Sequence, residues 1–271
     1  MGDSPLDDLV RRSTQGDKQA LESLIRSIQD KVFGFCVRLL WRREEAQEAC
    51  QEVLIKVVTH LSQFRFESKF ETWVFRIAAN HVADLGRAAP AAKGISFSRF
   101  EEELDSDQME PTQNEQDSPD FQAQISEIRM SCTTALLQCL DADHRLAYVL
   151  GEILECDHRI GSEILEISPA AFRKRLERAR DQVEPFTQKV CGVITESGTC
   201  RCPRRLRYAK TCGKIDFAKL PFVTASGSVS DPADFIRKIQ LVKRTAAHYR
   251  LTRRFESPID FGSLLKSVGI A

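Results

Sequence analysis

The sequence predicts a mainly α protein: two small helical domains joined by an acidic linker and followed by a partly irregular C-terminal extension. Three observations carry that expectation. Apolar residues recur at three- and four-residue steps through most of the chain, with no strand-like alternation between them. Charge is segregated: Glu101 to Asp120 holds nine acidic residues and no Lys or Arg, while Ala171 to Lys210 holds eleven basic residues against four acidic ones. A length of 271 residues suits two domains with modest cores plus connections.

Taken in order, Leu21, Leu24, Ile25, Ile28, Val32, Phe35 and Leu39 predict a long first helix ending near Trp41. Ala46, Ala49, Cys50, Val53, Leu54, Val57, Val58 and Leu61 define the buried stripe of a second. A third, from Glu71 to about Leu85, is expected to bury Trp73, Val74, Ile77, His81 and Leu85. These helices form a bundle within residues 1–94. Residues 95–124 contain Pro111, Pro119 and little apolar material, and read as a flexible acidic linker. Periodicity resumes at Ile125 and continues to Phe186. In SPAAFRKRLERAR, Ser168 suits a helix N-cap and Pro169 the first helical position. Residues 187–271 begin as a Gly-, Pro- and Ser-bearing irregular segment and return to an amphipathic helix near Asp231 to Leu251.

Several function classes are disfavoured. Neither a signal-peptide core in MGDSPLDDLVRR nor an apolar run near the ~20 residues needed to cross a bilayer is present, so a soluble cytoplasmic protein without membrane attachment is expected. No Ser-His-Asp order, P-loop or H-E-x-x-H motif occurs, and five scattered histidines make no catalytic cluster. The chain does not read as an enzyme, and no catalytic residue is assigned.

The second helix carries Glu48, Gln51, Glu52 and Ile55 on its outward face, an aliphatic side chain beside polar ones that suits a protein interface. Downstream, Phe64, Phe66, Phe70, Trp73 and Phe75 crowd together with Arg65, Lys69 and Arg76. Aromatic faces stack on unpaired bases while cations hold phosphates. Trp73 falls on the buried stripe, leaving Phe64, Phe66 and one neighbour for stacking. Arg76 and Asn80 lie one turn apart, away from the expected core face.

EAQEACQEVLIKV (Glu45 to Val57) resembles the polymerase-binding helix of sigma-70-type factors, especially the extracytoplasmic-function (ECF) group. FRFESKFETWVFRIAANHVADL resembles that family's promoter-melting segment, with Phe66 in place of a usual Gly and Glu71 and Ala79 in place of usual Arg residues. The resemblance implies that Glu48, Gln51, Glu52 and Ile55 dock on core RNA polymerase. It implies that Phe64, Phe66, Lys69, Arg76 and Asn80 take the −10 element of promoter DNA, and that residues 1–94 are sigma region 2. It also places the acidic linker in the channels of the polymerase.

DHRIGSEILEISPAAFRKRLERAR fits a helix-turn-helix: a short helix burying Ile160 and Ile164, a turn at Glu166 and Ile167, and a second helix with Phe172, Leu176, Ala179 and Val183 inward. Ser168, Ala170, Arg173, Lys174 and Arg178 are then the candidates for base and phosphate contacts. Residues 125–186 resemble region 4 of the same sigma group, which implies recognition of the −35 element; Glu166 stands where a turn Gly is common.

Of nine cysteines, Cys36, Cys50, Cys132, Cys139 and Cys156 follow apolar stripes and read as core. Cys191, Cys200, Cys202 and Cys212 sit in a basic, irregular segment whose arginines would favour thiolates. No cofactor is expected to be required; the spacing of these four departs from paired C-x2-C knuckles, yet four thiolates could bind zinc tetrahedrally in the extension. The expected function is transcription initiation as a sigma factor with core RNA polymerase and promoter DNA as partners, and an anti-sigma factor among the partners the resemblance admits. The rival from another class is a self-contained helix-turn-helix repressor with a metal- or redox-sensing tail.

Overall fold

A computed structural model describes residues 5–88, 95–106, 108–213, 215, 217, 255–267 and 269. The helix expected near Asp231 to Leu251 lies outside the described residues. Helices are α1 (Pro5–Thr14), α2 (Lys18–Leu40), α3 (Arg43–Thr59), α4 (Phe70–Ala88), α5 (Phe97–Asp105), α6 (Gln113–Gln116), α7 (Phe121–Leu137), α8 (Ala142–Tyr148), α9 (His158–Leu165), α10 (Pro169–Val190), α11 (Leu206–Thr211) and α12 (Phe261–Ser267). Among the described residues no strand forms; one isolated bridge joins Cys191 and Cys200. No described helix is long and apolar enough to cross a membrane.

Contacts gather into two compact units. One comprises Met1–Ala92, Cys156–Arg173 and Arg254–Ala271; the other comprises Lys93–Glu155 and Lys174–Arg253. In the first, Asp17 caps α2 by accepting hydrogen bonds from the Gln19 and Ala20 N–H groups at 3.0 Å, which satisfies donors the helix start leaves open. The core is built by Leu24, Ile25, Ile28, Val32, Phe33 and Phe35 from α2 with Ala46, Cys50, Val53, Leu54 and Val57 from α3. Phe35 meets Phe75 of α4 edge to face at 5.3 Å. The C-terminal residues join this unit: the Ser257 N–H donates to Asp30 Oδ1 at 2.9 Å, and the Phe255 ring lies 4.7 Å from the Arg38 guanidinium.

Two expectations need correcting. The buried side of α4 is Val74, Phe75, Ala78, Ala79 and Val82, whereas Trp73, Ile77 and His81 are half-buried and Leu85 is 39% exposed. The helix packs on α2, α3 and α9, so its contact surface is wider than a single stripe and is rotated toward Phe75 and Ala79. The second correction concerns the stretch 95–124 read as a flexible linker, which carries α5, α6 and the start of α7. Phe100 and Leu104 are buried, and Phe97 and Phe100 pack on Phe186 of α10 with ring centroids 5.3 and 5.9 Å apart. The acidic composition concealed three apolar residues spaced i, i+3, i+7 on one helical face.

In the second unit Leu137, Leu140, Tyr148, Val149 and Leu150 pack with Leu176, Ala179 and Val183 of α10 in the buried set. Glu152, 6% exposed, is held by Arg180, whose Nε donates at 2.6 Å. An isolated buried carboxylate would be costly, so this pair is required where it stands. Further along, Leu206 and Ala209 of α11 close on Ile125 and Ile128 of α7 in a separate apolar cluster with Phe121 and Phe217 at its edge.

Candidate functional site

Helix α3 follows a reversal at Trp41, whose φ of 62° stops α2. Because the side facing the core is fully apolar, Glu48, Gln51 and Glu52 are left exposed, with Ile55 half-buried beside them. The four residues expected to form a docking stripe thus lie together on the outer face of one rigid helix.

The next candidates separate. Phe64 is 7% exposed and sits in an aromatic cluster, 5.5 Å from both Phe70 and Trp73. Its ring serves the core and is not presented to a base. Phe66 is 38% exposed, rests 4.8 Å from Phe64 and lies beneath the Arg11 guanidinium at 4.3 Å. Its φ of 57° explains why a glycine is usual at this position: the turn needs left-handed backbone. Lys69 is exposed at the start of α4.

Arg76 and Asn80 are engaged within the protein. Arg76 Nη2 donates to Glu163 Oε1 at 3.0 Å, and Asn80 Nδ2 to Glu166 Oε2 at 3.5 Å, so both reach residues of α9 and its cap. The Arg76–Glu163 pair has side-chain exposures of 31% and 43%, a setting in which ion pairs contribute little and yield to competing anions. Beside Asn80, burial depresses the His81 pKa and nearby Lys56 depresses it further; Lys56 Nζ donates to His81 Nδ1 at 2.9 Å.

The helix-turn-helix is well determined locally. Asp157 caps α9 through the Arg159 and Ile160 N–H groups at 2.8 and 3.0 Å, and these hydrogen bonds lower its pKa. Gly161 is needed because the Phe172 ring lies against it: a Cβ there would sit 2.3 Å from Phe172 Cζ. Glu166 ends α9 in the left-handed region at φ 53°, ψ 39°, the conformation a turn glycine would adopt freely. Ser168 Oγ then accepts from the Ala171 N–H at 3.1 Å to start α10. Phe172, Leu176, Ala179 and Val183 are buried; Ser168, Ala170, Arg173, Lys174 and Arg178 are exposed. Ile160, expected inside, is half-buried, and Gly161 and Ser162 take its place.

Among the described residues no group of three or more His, Cys, Asp or Glu is arranged to hold a metal ion, so the tetrahedral site of Cys191, Cys200, Cys202 and Cys212 is not assembled. Cys212 is exposed at the end of α11, while Cys191, Cys200 and Cys202 share an apolar cavity of about 40 Å³ with Cys132 of α7. Sequence reasoning missed Cys132 because its helical spacing is that of any core residue. At Cys191 and Cys200 the thiolate is disfavoured: burial pushes the Cys200 thiol up to about 12 and raises Cys191, as it does Cys132 beside them, outweighing the neighbouring arginines.

Residues 24–89, which hold the α3 stripe and the whole aromatic loop, match the family model described as sigma-70 region 2. The chain is 29% identical over 188 residues to the RNA polymerase sigma-H factor of Pseudomonas aeruginosa, spanning 66% of this chain and 92% of that protein. It is 28% identical over 180 residues to the ECF RNA polymerase sigma-E factor of Haemophilus influenzae, spanning 65% and 92%. These matches identify a sigma-70 region 2 in this chain and support its kinship with the ECF group of that family. They support an RNA polymerase sigma factor, a DNA-binding initiation factor whose family implies core polymerase and promoter DNA as partners. The Escherichia coli sigma-E factor matches at 26% identity over 186 residues, 66% of this sigma factor and 93% of that one. These relatives are covered almost end to end, and about a third of this chain lies beyond each match.

Proposed function

We propose that this sigma factor docks on core polymerase through α3, melts and holds the −10 element with the loop before α4 and with α4 itself, and reads the −35 element with α10. The observation that carries the reading is the placement of Glu48, Gln51, Glu52 and Ile55 on one outward face of a helix inside the matched region 2. A rigid helix whose opposite face is fully buried holds such a stripe in register for a partner helix.

For melting, a base leaving the duplex loses stacking worth a few kcal/mol, and a protein surface must offset it. Phe66, exposed and already beneath a cation, is the ring suited to that task, with Lys69 for the backbone; buried Phe64 supports it from below. Arg76 and Asn80 take the displaced strand once phosphate replaces Glu163 and Glu166 as their acceptors. In region 4, Ser168 and Ala170 open α10 with small exposed side chains that admit close approach, and Arg173, Lys174 and Arg178 supply base-edge and phosphate contacts. Binding of DNA by the free protein is expected to weaken steeply with salt.

Promoter-dependent run-off transcription with purified core polymerase tests the reading. Transcripts that require both protein and promoter are expected, and they should be lost in Phe66→Ala at the melting step while a pre-melted template is still transcribed. Equal loss on both templates would remove Phe66 from melting.

A further inference from the structure

We propose that the basic C-terminal extension is a clasp that holds the acidic segment Phe97–Gln116 against region 4, and that core polymerase must release this segment when it binds. The second clause rests on the sigma-factor reading; the clasp itself does not. Helix α5 lays Phe97, Phe100 and Leu104 toward Phe186 and the cavity lined by Cys132 and Cys191. Its far end is closed by Arg205, a guanidinium only 5% exposed that lies 4.0 Å over the Tyr208 ring. Arg205 Nη1 donates to the carbonyl of Ser106 and, at 3.5 Å, to that of Leu104. Those are carbonyls at a helix C-terminus, where a cation is favoured by the helix dipole and by the absence of intrahelical partners.

Around this buried anchor the extension meets the acidic segment residue by residue. Arg204 Nε donates to Glu110 Oε1 at 2.6 Å, and the Met109 N–H returns a hydrogen bond to the Arg204 carbonyl at 3.0 Å. Glu115 is oriented by its capping box with Thr112 and faces both Arg207 at 3.4 Å and Lys210 at 3.9 Å. Thr199 Oγ1 donates to Asp105 Oδ1 at 2.9 Å, and Lys189 pairs with Glu101 at 2.5 Å. Each exposed pair is weak alone. Strung along one segment around a buried arginine and a buried apolar face, they fix its position. The segregation of acid and base along the sequence is in this respect self-complementary.

The test uses the full-length protein with Arg204→Glu, Arg207→Glu and Lys210→Glu together, and in parallel Glu110→Gln with Glu115→Gln, which removes the acidic side without touching the extension. Amide exchange across residues 97–116 is expected to rise at least tenfold in both, and binding to core polymerase to tighten three- to tenfold. Adding Glu110→Arg and Glu115→Arg to the triple variant should restore protection, which a variant that merely misfolds would not do. Unchanged exchange in both variants overturns the clasp. Faster exchange with unchanged or weaker binding to core enzyme overturns the competition. Binding by neither wild type nor variants overturns the competition together with the sigma-factor reading, even where exchange upholds the clasp.

Discussion

Acidic residues on α3 and acidic residues in the segment 101–115 look alike in composition and behave oppositely in the fold. Glu48 and Glu52 stand exposed above a fully apolar inner face. Glu101, Glu110 and Glu115 are each met by a basic side chain of the same protein. The difference lies in what surrounds them: α3 is anchored by its own hydrophobic side, so Glu48 and Glu52 stay exposed without helping to hold it. The linker has a smaller apolar face and needs its charges satisfied to stay in place. A patch of like charge therefore says little until its counterions are located.

The largest effect is expected at the buried anchor. Arg205→Ala strips hydrogen bonds from two helix-end carbonyls and a ring contact, and is expected to destabilise the second unit by about 3 kcal/mol in chemical denaturation. Neutralising the α3 stripe should do the reverse. Replacing Glu48, Gln51 and Glu52 together by Ala is expected to leave the melting temperature unchanged while lowering affinity for core polymerase at least tenfold, about 1.4 kcal/mol. A comparable loss of stability in both variants would erase the distinction. The helix-turn-helix offers a smaller test: Ser168→Ala removes the cap of α10 and should cost about 1 kcal/mol. Smaller again, Glu166→Gly relaxes a left-handed residue and should change stability by roughly 0.5 kcal/mol in the favourable direction.

Acid separates the two acidic regions by direction alone. The Thr112 backbone N–H and then its hydroxyl hold the Glu115 carboxylate below its ordinary value of 4.5. A group depressed in the folded state contributes stability that is present above its unfolded pKa and lost as pH falls through the folded one. Amide exchange in 97–116 should accordingly begin to rise as pH drops below about 4.5, before exchange in α3 responds. Simultaneous onset would argue that the segment has no separate electrostatic hold.

The bundle and the helix-turn-helix were legible because their information is local. Three- and four-residue apolar steps identify α2, α3 and α10, and a Ser-Pro start identifies where α10 begins. The two family glycines replaced here, at Phe66 and Glu166, fall on left-handed backbone, so even the departures were readable as geometry. What escaped notice depends on partners far away in sequence. Phe97 and Phe100 meet Phe186, and Ser106 meets Arg205 almost a hundred positions later, so an acidic run resembled a linker. Cys132 joined the thiol-lined cavity for the same reason. The face of α4 was misplaced because a helix packed by several neighbours buries more than the stripe its pattern suggests.

We propose α3 as the face this sigma factor offers to polymerase. The most direct measurement is equilibrium binding of the full-length protein to core polymerase, with Glu48→Lys and Glu52→Lys introduced together. Tight binding by the wild type, a loss of at least tenfold in the variant and unaltered folding by circular dichroism are expected. Undiminished binding by a well-folded variant would contradict the proposal.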